Sequence, residues 1–189
     1  MTDNTERVPY EIQVLADEIF SKIKIRTAGS DIIKAACLYA AFKIKSQPRT
    51  LEEISYLCKC PQKEVGRAYK NLHLKIPPSK PEEYIDRFCY DLGYKDQKVA
   101  ECAKQILNLA RHCDDFCCVC NKTPSNIASA AIYISGYLCK DRRTQLEMEI
   151  CCNTKHPTLR RYYKEICEKA EIEMDMLSEI QNMRGIHDH

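Results

Sequence analysis

The chain has 189 residues, enough for one large domain or two small ones, and its 44% apolar fraction allows a real core. With 30% charged residues but a net charge of only +2, any nucleic-acid contact has to come from a local patch rather than from overall charge. No apolar run approaches a membrane span, the polar start lacks the apolar centre of a signal peptide, and 13 cysteines in such a chain read as reduced thiols of a cytosolic or nuclear protein.

In chain order, the first predicted helix covers residues 11–25, where Ile12, Leu15, Ile19 and Ile23 keep steps of three and four. Ser30 or Asp31 is the expected N-cap of a second helix over 32–45, whose small-residue centre, Ala35 to Ala41, lets neighbouring helices approach closely. Thr50 begins a capping box with Glu53 and starts a helix over 51–58. Pro61 opens the next helix, expected to run to about residue 76. Three prolines in residues 77–81 then mark a linker, because none of them can continue a helix.

Beyond the linker, a helix over 82–92 is closed by Gly93, and Asp96 caps one over 97–112. Pro124 and Ser125 start a helix to Leu138, and residues 140–143 form a charged loop. From Thr144 onward the pattern is helix, turn, helix. The first helix is expected to bury Leu146, Ile150 and Met148, and Asn153 and Thr154 to break it and cap the second helix. Pro157 suits the first turn of that second helix, and Leu159, Tyr162, Tyr163 and Ile166 face inward. Arg160, Arg161 and Lys164 stay outside, and residues 151–164 hold four Lys/Arg and no carboxylate. A helical pair with a cationic second member is suited to a major groove, although a solvated helix face has the same composition. Residues 165–180 continue helical and turn acidic. No stretch alternates with period two, so the predicted class is all-α.

The chain also repeats itself. At an offset of 94, Tyr39 falls on Tyr133, Arg49-Thr50 on Arg143-Thr144, Ile54 on Met148, Cys58 on Cys152, Arg67 on Arg161, Tyr69 on Tyr163 and Lys70 on Lys164, without a gap from Ile33 to Leu72. A period this long implies two copies of one small helical domain rather than a solenoid.

Two further features carry less. Cys117 and Cys120, with Cys113 or His112, have the spacing of a zinc knuckle, but a single CxxC is a weak signal and reduced thiols are the expectation. No phosphate-cradling glycine loop, HExxH or GxSxG is present, and the five histidines are scattered, so an enzyme is not expected and no cofactor is assigned.

The paired blocks AACLYAAFKIKSQPRTLEEI with KEVGRAYKNL, and TPSNIASAAIYISGYL with RRTQLEM and TLRRYYKEI, resemble the two cyclin-like repeats of transcription factor IIB; RFCYDLGY at 87–94 resembles the start of the second repeat. The resemblance implies repeat one over 1–76 without its first helix, a linker over 77–81, repeat two over 82–180 ending in the helix-turn-helix, and a tail over 181–189. It also implies that the family's zinc ribbon and following linker are not in this sequence.

The implied function is a general initiation factor core that binds promoter DNA and the TATA-binding protein, with RNA polymerase as a further candidate partner, in the nucleus or a viral or host transcription compartment and away from membranes. The base-reading positions of the family fall on Pro157 and Arg160; Lys155, His156, Arg161 and Lys164 are then phosphate contacts, and Lys63 and Arg67 contacts to the TATA-binding protein. Pro157 departs from the family's valine, which puts the usual sequence preference in question. The alternatives are a cyclin-like protein-interaction module that does not bind DNA, and a polymerase III or archaeal relative; the strings Pro48 to Ile54 and Glu64 to Arg67 favour the polymerase II-type branch.

Overall fold

The structure, a computed structural model, describes residues 8–23, 30–111, 123–170 and 172. Among these residues all regular structure is helical, and the chain divides into two compact units, Met1–Ser79 and Lys80–His189. The cysteine cluster at 112–120, the acidic stretch beyond 172, the tail and residues 24–29 lie outside the described residues.

The first unit contains α1 (Tyr10–Lys22), α2 (Ser30–Ile44), α3 (Leu51–Cys58) and α4 (Gln62–Asn71). Its centre is α2, where Ala35, Ala36, Ala40 and Ala41 are fully buried, and α1, α3 and α4 all pack on it. Side chains this small let the helix axes come close. Ile12, Phe42, Ile54 and Val65 fill the space between them.

The second unit contains α5 (Glu82–Asp91), α6 (Lys98–Arg111), α7 (Pro124–Leu138), α8 (Gln145–Cys152) and α9 (His156–Lys169). Here α7 is central, with Ala128, Ala130 and Ala131 buried, and the other four helices pack on it. Ile85, Phe88, Leu107, Ile132, Met148, Leu159 and Tyr163 form its core.

The offset of 94 is present in the backbone as well. α2 and α7 span matched residues, α3 and α8 span matched residues, and α4 and α9 begin at matched residues. Non-glycine residues take the left-handed conformation at Ser46 and Lys140 and again at Lys59 and Asn153, two more matched pairs. Tyr39 meets Tyr69 edge-on with ring centroids 4.8 Å apart, and Tyr133 meets Tyr163 at 5.5 Å. Two stretches of different sequence adopt one local design.

Both capping boxes form. Glu53 N–H donates to Thr50 Oγ1 at 3.1 Å and Glu147 N–H to Thr144 Oγ1 at 3.2 Å; in return each glutamate carboxylate accepts from the threonine N–H at 2.6 Å. These bonds satisfy N–H groups that a helix start leaves without partners. The hydrogen bonds from Thr144 hold the Glu147 carboxyl below its ordinary value of 4.5. A carboxyl depressed on folding adds stability above its unfolded pKa, and that stability fades as pH falls through the lower, folded value. Thr144→Ala should therefore destabilise the second unit by about 1 kcal/mol at pH 7. The difference from the unaltered protein should shrink in urea melts repeated at progressively lower pH below 4.5. A difference that does not change with pH would show that the threonine hydroxyl takes no part in holding the carboxylate, which the Thr144 N–H would then hold alone.

Three expectations are corrected. Leu146 and Ile150 are 59% and 72% exposed, whereas Met148 and Cys152 are buried. Residues two apart on a helix lie about 200° apart, so 146 and 150 share one face and 148 lies opposite; α7 and α9 cover the face carrying Met148. The helix opened by Pro61 ends at Asn71, and His73 turns left-handed, well before the prolines. Asn153 and Thr154 do not cap α9: Asn153 is the left-handed C-cap of α8, and the N-cap of α9 is Lys155, with no side-chain bond.

Candidate nucleic-acid interface

Helices α8 and α9 are joined by Asn153, Thr154 and Lys155. Thr154 is 1% exposed, and its Oγ1 lies 2.8 Å from Ser129 Oγ and 3.0 Å from Asn126 Oδ1, both on α7. The turn is thus pinned to the central helix by a buried polar cluster, which is stable only because its members satisfy one another. A second anchor holds the start of α8. Arg143 donates through Nε to the Leu92 carbonyl at 2.9 Å and lies 4.2 Å from the centre of the Tyr94 ring. Gly136 makes room for that ring, since a Cβ there would fall 2.6 Å from the Tyr94 hydroxyl. Arg143 therefore anchors the loop just ahead of the capping threonine.

Leu159, Tyr162, Tyr163 and Ile166 are all buried, as their spacing predicted. That stripe fixes the rotation of α9 and decides which side chains face outward. Lys155 and Pro157 are exposed at its start, with Pro157 in the first turn. Arg161 is exposed, its guanidinium 4.9 Å from the centre of the Tyr162 ring, and Lys164 is half-buried. Arg160 is half-buried and donates through Nε to Gln145 Oε1 on α8 at 2.9 Å.

His156 departs from the expected phosphate role. Its Nε2 is buried and sits 3.1 Å from a Glu149 carboxylate oxygen, so it faces α8 rather than an incoming anion. The structure thus brings Lys155, Arg160, Arg161 and Lys164 onto one helix and turns His156 into a link between two. Lys63 and Arg67 belong to the other unit, exposed and four residues apart on α4.

Sequence reasoning did not single out Gln145, Glu149, Ser129 or Asn126. Gln145 had one signal available: it stands where the first unit has Leu51, a polar residue for an apolar one at matched helix starts. The buried thiols offer no reactive alternative. Burial raises Cys37 and Cys167 to about 11 and Cys89 to about 12, so each stays protonated at neutral pH. Among the described residues no group of three or more His, Cys, Asp or Glu could hold a metal ion, and no helix is long and apolar enough to cross a membrane.

The transcription factor TFIIB repeat model matches residues 74–169, half of the chain and all of α5 to α9. A protein named transcription initiation factor IIB 3, from Halobacterium salinarum, is 34% identical over 85% of this chain and 52% of its own length. Transcription initiation factor IIB of Methanosarcina mazei is 36% identical over 79% of this chain and 44% of its own length. The corresponding factor of Archaeoglobus fulgidus is 33% identical over 85% of this chain and 49% of its own. The chain spans about half the length of these relatives, and all three are archaeal, whereas the sequence strings had favoured the polymerase II-type branch. The chain belongs to the transcription factor TFIIB repeat family, whose members are initiation factors and not enzymes.

Proposed function

We propose that the two compact units act as the paired cyclin-like repeats of a TFIIB-type core, joined through residues 77–81, that assembles with the TATA-binding protein on promoter DNA. The second unit binds duplex DNA through α9, and the first binds the TATA-binding protein through Lys63 and Arg67 on α4. The site of action is wherever the cell transcribes its genome, the nucleus in a cell that has one, and RNA polymerase is the machine this assembly serves.

The observation that carries the reading is the rotation of α9. Its buried stripe leaves Lys155, Arg160, Arg161 and Lys164 for an outside partner, on a chain whose net charge is only +2. Arginine can pair a guanine edge with two parallel bonds, whereas lysines neutralise phosphates without reading sequence. Pro157, like a valine, has no side-chain donor and can read a base only by apolar contact.

The test is a gel shift on promoter DNA with and without TATA-binding protein. Arg160→Ala should lose about 1–3 kcal/mol of discrimination at one upstream base pair. Lys164→Ala should weaken binding to every sequence and lower the salt slope by about 1. Loss spread evenly over all sequences for Arg160→Ala would remove its base-reading role. One feature favours a second reading: Leu146 and Ile150 expose an apolar pair on α8 that suits a protein partner. A module that binds only protein would show no salt-dependent affinity for DNA.

A further inference from the structure

The Arg160 guanidinium is held rather than free. Its Nε donates to Gln145 Oε1 at 2.9 Å, and among the described residues no acceptor meets its two terminal nitrogens. With Nε engaged from the side, the end-on pair of donors is what remains for an incoming ligand. Gln145 reaches Arg160 from a fixed backbone, because it is the first residue of α8, directly after the Thr144 capping box and the Arg143 anchor.

The first unit provides the comparison. The positions matching Gln145 and Arg160 are Leu51 and Gly66, and they also lie together: a Cβ at Gly66 would be 3.5 Å from Leu51 Cδ1. The fold therefore brings this pair of positions into contact in both units, and in the first it does so with an apolar side chain and no side chain at all. A glutamine–arginine hydrogen bond is not needed to join the two helices. Its presence in the second unit alone, on the helix with the outward cations, calls for a reason other than packing.

We propose that Gln145 is a positioning residue for base recognition: it orients Arg160 so that both terminal nitrogens face one guanine edge. This rests on the DNA-binding reading above. A preorganised guanidinium loses less rotamer freedom on binding, so the matched base gains over the others. Phosphate contacts are untouched, and the salt slope is not expected to move.

The experiment measures affinity of the protein with TATA-binding protein for promoter duplexes carrying each of the four base pairs at the position that Arg160→Ala identifies. It is run for the unaltered chain, Gln145→Ala, Arg160→Ala and the double variant. Gln145→Ala should lower preference for the cognate pair roughly five- to tenfold, part of what one bidentate contact carries. It should leave the salt slope unchanged and add nothing in the Arg160→Ala background. In the free protein the Arg160 Nε–H resonance should be ordered and should become mobile in Gln145→Ala. If Arg160→Ala relaxes one position and Gln145→Ala does not, the positioning role is wrong and DNA reading stands. If Arg160→Ala relaxes no position, both fall. An Arg160 Nε–H already mobile in the unaltered chain overturns the proposal without reference to DNA.

Discussion

Leu159→Ala should remove about 2–5 kcal/mol of stability from the second unit, the range for a buried leucine cut to alanine. Leu159 is fully buried among residues of the same core as Met148 and Ile132. The variant loses both the transfer of its methyl and methylene groups and the contacts of a cavity that rigid helices cannot close. A whole domain is stable by only about 5–15 kcal/mol, so this one change consumes a large share. Urea melts followed by circular dichroism, with amide exchange along α9, give the measurement. A loss below about 1 kcal/mol would mean that α9 is not seated on its buried stripe. The functional consequence comes from the same seat: cations carried by α9 keep a common direction only while Leu159 and Tyr163 hold its rotation.

Neutralising Lys155, Arg161 and Lys164 together to alanine should reduce affinity for every duplex on the order of 100-fold near 0.1 M salt, and lower the slope of log affinity against log salt by roughly 3. Each of the three side chains then meets one phosphate. Lys155 and Arg161 are exposed and Lys164 is half-buried, so the melting transition should move little. Specificity among sequences should survive, because Arg160 remains. Unchanged affinity or an unchanged slope would place the DNA contact elsewhere or remove it. Retained affinity for the TATA-binding protein in the triple variant would separate the two partners, which this reading assigns to different units.

Much of the architecture was legible in the sequence because strong local signals agreed with tertiary packing. Thr50 with Glu53 and Pro124 with Ser125 mark helix starts by chemistry that acts within one turn. The inward stripe of α9 was legible for a related reason: four large apolar residues at helical steps leave only one face to bury. The short helix α8 was not. Two turns give too few residues to define a stripe, and with Leu146 and Ile150 together against Met148 the simple count of apolar residues selects the wrong face. The matched positions in the first unit, Glu52 and Tyr56, argue for the outward side, and Tyr56 is 81% exposed. The link between Gln145 and Arg160 was illegible for a different reason. Those residues are fifteen apart across a turn, and no periodic pattern marks a contact between two polar side chains.

The shared backbone of the two units also separates scaffold from purpose. Ile54 and Met148, Val65 and Leu159, and Tyr39 and Tyr133 keep their character at matched positions, and each lies in or against a core. Leu51 against Gln145, Gly66 against Arg160 and Glu52 against Leu146 have exchanged character, and they are the positions where one design was free to diverge. A single chain thus contains two answers to one folding problem. Some of these differences stay inside, as where Cys60 and Ala35 give way to the bonded Thr154 and Ser129; those at exposed positions such as Glu52 and Leu146 change only what each half offers to its surroundings.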